Sequence, residues 1–183
     1  MPHIQVPEGV PGIRSLVMFR PETGQYLYKL AQVLLREESP LTPAERELIA
    51  THVSARNACV FCMSSHAAAA RELYKEDRAI VDCVIRDGDA APVTPKMKAL
   101  LVIAGHVQQN GKNVTEADIA AARAEGATDR DIHDTVLIAA AFSMFNRYVD
   151  GLASFTPTDP KEYDAMGVRL AAVGYTLPKP VSA

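Results

Sequence analysis

The residues best suited to chemistry lie in one short segment, NACVFCMSSH, at positions 57–66. Cys59 and Cys62 are three positions apart, and His66 follows four positions later. On a helix, these separations place all three side chains on one face within two turns. Two thiols beside an imidazole can hold a metal ion, can form a redox couple with its own base, or can simply pack in a core.

Zinc binding is the first alternative for this segment. A structural zinc site needs four ligands, usually two pairs on separate short loops. This chain has one cysteine pair, and its third cysteine, Cys83, lies in the apolar stretch IVDCVI, which is typical of a buried small hydrophobic residue. We therefore expect no metal cofactor, with a zinc-binding protein as an alternative.

Redox chemistry is the second alternative. The CxxC pair of thioredoxin-like proteins follows a β-strand, whereas no strand signal precedes Cys59. Cys59 instead falls close to a predicted helix N-terminus, where the helix dipole favours a thiolate. A thiolate that attacks a peroxide also needs a proton donor, and general acid help typically contributes about 10² to 10⁴ in rate. A thiol backed by His66 can provide it, and a carboxylate behind the histidine would set its tautomer and charge.

The elements that must position this segment are predicted to be helices, because apolar residues recur at helical spacing and strand signals are nearly absent. Thr42, Pro43 and Glu45 form a capping box with a proline at the first helical position. Thr94, Thr115 and Thr128 are expected to cap three later helices. The sequence predicts an all-α fold of about seven to eight helices.

The composition excludes several classes of function. The 183 residues carry a formal net charge of -3 with scattered Lys and Arg, which is not typical of nucleic-acid binding. The longest apolar stretch is shorter than the roughly 20 residues that cross a bilayer, and the first residues lack a signal-peptide pattern. We expect a cytoplasmic protein that binds neither nucleic acid nor membrane, and whose cysteines stay reduced unless they do redox work.

A longer segment around the cysteines, ERELIATHVSARNACVFCMSSH, resembles the signature of the alkylhydroperoxidase D-like branch of the carboxymuconolactone decarboxylase family. That signature is a glutamate, a CxxC motif twelve residues later, and a histidine four residues after the second cysteine. Glu47, Cys59, Cys62 and His66 meet every spacing. Phe61 stands where well-known members have a histidine.

The resemblance extends over roughly residues 25 to 153, including a Phe-Asn-Arg stretch at positions 145–147. It implies an alkylhydroperoxidase D-like helical bundle over residues 24–155. Outside the match we expect an extended N-terminal arm over residues 1–23 and a Pro-rich extension over 156–183, where the prolines are Pro157, Pro160, Pro178 and Pro180 with one possible short helix among them.

The resemblance also implies an activity, namely peroxide reduction by a homo-oligomer that uses no flavin, haem or metal. Cys62 would attack the peroxide and become a sulfenic acid. Cys59 would donate a proton and then close the Cys59–Cys62 disulfide, while His66 and Glu47 form a proton relay. The partners would be a peroxide substrate and a dithiol reductant, either a protein or a small molecule.

Two other functions remain open. Some family members are lactone decarboxylases that use acid–base residues alone, although such chemistry has no need of a dithiol. A non-enzymatic protein whose dithiol only senses oxidation is the other. Without the resemblance, Glu47 is typical of an exposed helix glutamate, and Asp150 is expected to serve helix-end or inter-subunit pairing.

Overall fold

The computed structural model describes residues 1–88 and 90–176, and over these residues the chain is helical with no β-strand. This confirms the predicted all-α class. The α-helices of the described part are α1 (Ile13–Phe19), α2 (Pro21–Arg36), α3 (Pro43–Arg56), α4 (Val60–Tyr74), α5 (Ala79–Arg86), α6 (Pro95–Gln109), α7 (Glu116–Ala124), α8 (Asp129–Gly151) and α9 (Pro160–Val173), with short 3₁₀ turns at Lys75–Asp77 and Gly111–Asn113.

The predicted helix starts are confirmed by their caps. The side chains of Thr42, Thr94, Thr115 and Thr128 each accept a hydrogen bond from the backbone N–H three residues later. At Thr42 the capping box is complete, because Glu45 also accepts from the Thr42 backbone N–H at 2.8 Å. These caps satisfy N–H groups that would otherwise lack partners at the first turn.

The N-terminal residues differ from the predicted extended arm, because they contain α1 and the start of α2. Gly12 precedes α1 with φ 54°, and the Ser15 hydroxyl donates to its carbonyl at 2.8 Å. Leu16 and Val17 are then buried, and this apolar burial stabilises a helix that the neighbouring Pro and Gly residues conceal in the sequence.

The C-terminal extension also packs on the bundle. Helix α9 spans 14 residues and lies against α4, where a Cβ on Gly167 would come within 2.6 Å of the Ala68 backbone. The absence of a side chain at Gly167 therefore permits the close approach of the two helices. Pro178 and Pro180 lie outside the described residues, and the division into arm, bundle and extension stays a prediction.

Helix α3 lies at the centre of the bundle and packs against α4, α6 and α8. All nine residues from 46 to 54 are buried, although five of them are polar or charged. Buried polar groups must find hydrogen-bond partners inside the protein. Glu47 is among the five, so the position of α3 already requires a set of polar partners around that carboxylate. None of the described helices is both long and apolar enough to span a membrane.

Candidate active site

The cysteine pair lies at the sharp turn between α3 and α4. Asn57 ends α3, Ala58 takes a left-handed backbone conformation with φ 56°, and Cys59 is the N-cap of α4. The Cys59 N–H donates to the Ser54 carbonyl at 3.1 Å. A non-glycine residue at positive φ costs on the order of 1 kcal/mol and persists where the surroundings enforce it. The turn places Cys62 in the first turn of α4.

A network of side-chain hydrogen bonds fixes this turn. The Asn57 amide donates to Asn146 Oδ1 at 2.8 Å, and the Asn146 amide donates to Ser54 Oγ at 3.1 Å. Gln108 of α6 donates to Asn57 Oδ1 at 2.8 Å. The central residue of the Phe-Asn-Arg stretch therefore ties α8 to the turn that carries the cysteines.

The two thiols are reduced and differ in exposure, with Cys59 fully buried and 4% of Cys62 accessible. The pKa of the Cys59 thiol is raised far above its usual value. The main cause is its hydrogen bond with Cys62, followed by burial, and the Asp150 carboxylate adds to the effect. Cys59 therefore keeps its proton. Asp150, predicted to serve helix-end or inter-subunit pairing, lies within hydrogen-bonding reach of this thiol.

The Glu47 carboxylate, which is fully buried, joins α3 to α2 and α4. His66 Nδ1 lies 2.7 Å from Glu47 Oε2, and Arg36 Nη2 donates to Glu47 Oε1 at 2.6 Å. With Nδ1 held by the carboxylate, Nε2 is the ring nitrogen left to exchange protons, by the usual logic of a base and the group that orients it.

The environment keeps Glu47 ionised. Burial by itself would raise the pKa of this carboxyl group, but the charge and hydrogen bond of His66, the charge of Arg36 and the hydrogen bond of Tyr175 together hold it below its ordinary value. A charged, oriented carboxylate therefore stands behind the imidazole.

Tyr175 is a member of the site that the sequence analysis missed. Its hydroxyl donates to Glu47 Oε1 at 2.6 Å and lies 3.1 Å from His66 Nδ1. Its ring stacks on the His66 ring with 5.9 Å between centroids, and its backbone N–H donates to Gln32 Oε1 at 2.9 Å. Burial raises the pKa of Tyr175 well above 10, and the Glu47 charge adds to the shift, so the side chain remains a phenol.

Arg36 is the second member that was missed. Besides Glu47, its guanidinium donates to the Leu35 and Leu170 carbonyls and lies over the Tyr175 ring, 5.2 Å from the centroid. In the sequence it is a basic residue in the last turn of an amphipathic helix, which is common at exposed helix ends. No local signal marks Arg36 or Tyr175, because their contacts depend on how distant helices pack.

A cavity of about 50 Å³ opens beside Cys62 and His66. Most of its walls are apolar, including Leu27, Phe142 and Leu170, whereas Cys59 does not line it. A volume of this size holds water-sized groups. Cys62 is therefore the cysteine that a small reactant can reach.

Phe61, between the cysteines, lies in an apolar setting built by the two ends of the chain. A Cβ on Gly12 would fall 2.0 Å from the Phe61 ring, and the Tyr163 ring of α9 lies 6.3 Å from it between centroids. Where well-known members have a histidine, this chain has a phenylalanine, and its ring packs α1 and α9 against the cysteine segment.

Other candidate features lie away from this site. A larger cavity, of about 420 Å³, is lined by His52, Arg56 and His106 and by none of the predicted site residues. Cys83 is partly rather than fully buried, and it packs against the main core, whereas Cys59 and Cys62 lie in a separate cluster. Among the described residues, no group of three or more His, Cys, Asp or Glu side chains is placed to hold a metal ion.

Comparisons with known proteins identify the family and the fold of this chain. Residues 21–104 match the family model described as the carboxymuconolactone decarboxylase family. A peroxidase-related protein from Ralstonia eutropha JMP134, described as an alkylhydroperoxidase AhpD core and uncharacterized, is 30% identical with a TM-score of 0.77, over 86% of this chain and 81% of that one. This chain belongs to the carboxymuconolactone decarboxylase family. The family match includes all four residues of the predicted signature, whereas Tyr175 lies outside it.

Two further solved structures are similar to this chain. An uncharacterized peroxidase-related protein from Silicibacter sp. TM1040 is 28% identical with a TM-score of 0.77, again over 86% of this chain and 81% of that chain. A protein of unknown function from Agrobacterium tumefaciens shares the fold at 18% identity and a TM-score of 0.66, over 87% of this chain and 100% of that chain. A comparison of this chain with the curated proteins found no match.

Proposed function

We propose that this protein is a thiol-dependent hydroperoxide reductase that uses Cys59 and Cys62 as its redox couple, without flavin, haem or metal. The observation that carries the proposal is the 2.7 Å contact of Glu47 with His66, a residue that lines the same cavity as Cys62. Family membership and the two relatives named as peroxidase-related support a peroxidase-related function at the level of the family.

In the first step, the Cys62 thiolate attacks the terminal oxygen of the hydroperoxide. A sulfur–oxygen bond forms, the oxygen–oxygen bond breaks, and its electron pair leaves with the alkoxide. Cys59 gives its proton to that alkoxide, which leaves as the alcohol. Alkoxide is a poor leaving group, so this step depends on general acid catalysis, which typically contributes a factor on the order of 10² to 10⁴ in rate.

In the second step, the Cys59 thiolate attacks the sulfur of the Cys62 sulfenic acid. A disulfide forms, and the departing hydroxide takes a proton from His66 and leaves as water. A dithiol reductant then returns two electrons and two protons, which restores the Cys62 thiolate, the Cys59 thiol and the protonated His66. The raised pKa of Cys59 supports this division of labour, because a cysteine that keeps its proton is the donor rather than the attacking group.

Arg36 and Tyr175 are positioning residues in this scheme. Both donate to Glu47 Oε1, which leaves Oε2 for His66. They hold the carboxylate in one orientation and ionised, so the imidazole stays in one tautomer. We propose in addition that the protein works as a homo-oligomer in the cytoplasm.

Turnover of tert-butyl hydroperoxide with excess dithiothreitol tests the proposal. The native protein should consume peroxide over many cycles, and Cys62→Ser should not. Without dithiothreitol, Cys59→Ser should form the Cys62 sulfenic acid more slowly, because its proton donor is gone, and should accumulate it, because its resolving thiol is gone. Cys83→Ser should behave as the native protein. A lactone decarboxylase would not consume the peroxide, and its decarboxylase activity would survive in both Cys62→Ser and Cys59→Ser. A redox sensor would be oxidised once without sustained turnover.

A further inference from the structure

The cavity beside Cys62 carries polar side chains for which the reaction above has no use. Arg14 of α1, Tyr28 of α2 and Arg169 of α9 all line it. The two arginines come from the segments outside the family match, and none of the described residues that line the cavity is acidic. A neutral small peroxide needs no positive charge in the cavity wall, so the two arginines need another explanation.

Neither arginine has a partner within the part of the chain that the structure describes. Within residues 1–88 and 90–176, the Arg14 and Arg169 guanidinium groups make no ion pair and no hydrogen bond, although both side chains are partly buried. The other inward arginines behave differently: Arg36 is paired with Glu47, and Arg46 donates to the Leu34 and Glu37 carbonyls. A guanidinium offers five N–H donors in a planar fork that matches a carboxylate.

Tyr28 adds a third donor at the same place. Its side chain is 6% exposed, and in the described part of the chain its hydroxyl makes no hydrogen bond. Burial raises the pKa of Tyr28, while the charges of Arg14 and Arg169 oppose that shift, which puts both guanidinium groups within electrostatic reach of this hydroxyl. Three donor groups that have no acceptor among the described residues therefore line the same cavity.

We propose that Arg14, Arg169 and Tyr28 bind the carboxylate of an organic hydroperoxide. The peroxide group then enters the small cavity and reaches Cys62, and the apolar body of the substrate lies against the aliphatic side chains Leu27, Met166 and Leu170. The partly exposed arginines lie where the cavity meets solvent, so the carboxylate need not be buried. This substrate class rests on the proposed peroxidase function.

The matched pair that tests the proposal is linoleic acid hydroperoxide and its methyl ester, both below the concentration at which they form micelles. Pre-reduced protein is mixed with each one, and the rate of disulfide formation is followed in a single turnover, so no reductant contributes. The acid should react at least about 10-fold faster than the ester, the scale of charge-assisted hydrogen bonds to a carboxylate.

The variant that tests the residues is Arg14→Gln/Arg169→Gln, in which the ratio of acid rate to ester rate should fall towards one. Tyr28→Phe should lower the ratio in part. Arg123→Gln is the charge-matched control, because Arg123 is exposed on α7 and pairs with Asp129, and it should keep the native ratio. The ester rate within each variant corrects for any loss of folded protein.

Equal rates for acid and ester in the native protein would overturn the carboxylate site, and so would a native ratio in the double variant. Oxidation by tert-butyl hydroperoxide would still uphold the peroxidase function in that case. If no hydroperoxide oxidises the protein, calorimetric binding of hydroxylinoleate and its methyl ester decides the question. Tighter binding of the acid, lost in the double variant, supports the site, and equal affinities overturn it.

Discussion

The hydroxyl of Tyr175 lies 2.6 Å from Glu47 Oε1, although the two residues are 128 positions apart in the sequence. The contact closes a set of three groups around one buried carboxylate, with Arg36 and His66 as the others. The C-terminal segment after α9 thus contributes to the same centre that the cysteine motif defines. A protein that ended with α9 would lack this hydroxyl.

Tyr175→Phe should slow disulfide formation by about 10-fold, because a hydrogen bond to a charged group contributes roughly 1.5–3 kcal/mol. The phenylalanine ring can still stack on His66, so the change isolates the hydroxyl. Stopped-flow oxidation with tert-butyl hydroperoxide measures the rate. Tyr74→Phe, near the distal end of α4, is the control and should retain the native rate. An unimpaired rate in Tyr175→Phe would exclude the hydroxyl from the relay.

Glu47→Gln should lower the rate of disulfide formation by about 10² or more, since the proton relay loses its charge. It should also lower the free energy of unfolding by about 3 kcal/mol, because it leaves Arg36 partly buried without its counter-ion. The burial of Glu47 is decisive here, since an exposed glutamate would leave stability unchanged. Oxidation rates and urea unfolding measure the two effects.

Glu45→Gln is the matched control for Glu47→Gln. Glu45 is only partly buried and its carboxylate accepts from the Thr42 backbone N–H, so its loss should cost at most about 1 kcal/mol of helix capping and should leave the rate intact. Equal effects of the two substitutions on the rate would show that Glu47 does not act through His66.

The contribution of Glu47 to stability should depend on pH in a definite direction. Its pKa is depressed in the folded protein, so its stabilisation is present above the unfolded value of about 4.3 and is lost as the pH falls through the lower folded value. The difference in free energy of unfolding between the native protein and Glu47→Gln should therefore shrink as the pH falls from about 5 to below about 4. Urea unfolding at several pH values in this range measures it, and a difference that grows on acidification from about pH 5 would contradict the ionised state.

Part of this site follows from the sequence and part does not. The proximity of Cys62 and His66 follows from their spacing, since both lie on α4, and Cys59 is the N-cap of the same helix. Glu47 was identified only by resemblance, because its contact with His66 crosses from α3 to α4 and depends on the left-handed turn at Ala58. Arg36 and Tyr175 could not be identified, because only the packing of α2 and α9 brings them to the carboxylate.

The fold shows the same division between local and tertiary effects. The threonine caps are local motifs, and the sequence predicts them correctly. Helix α1 was missed because its stability comes from the burial of Leu16 and Val17 rather than from intrinsic propensity, which is weak for seven residues.

Gly12→Ala should lower the free energy of unfolding by about 2–4 kcal/mol, the sum of left-handed strain and overpacking. Its Cβ would fall 2.0 Å from the Phe61 ring. Gly9→Ala is the control: Gly9 also has a positive φ, 70°, but nothing lies within 4 Å of its Cβ, so only strain of about 1 kcal/mol remains. Equal losses in urea unfolding would mean that α1 does not pack on Phe61 as described.

The pairing of Cys59 with Cys62 is the central claim, and peptide mapping by mass spectrometry tests it most directly. Fully reduced protein receives one equivalent of tert-butyl hydroperoxide and is alkylated at once. We expect an intramolecular Cys59–Cys62 disulfide, a loss of two hydrogen atoms in mass, and Cys83 alkylated. Cys83 in the dominant disulfide, or both Cys59 and Cys62 alkylated after the peroxide is consumed, would contradict the account.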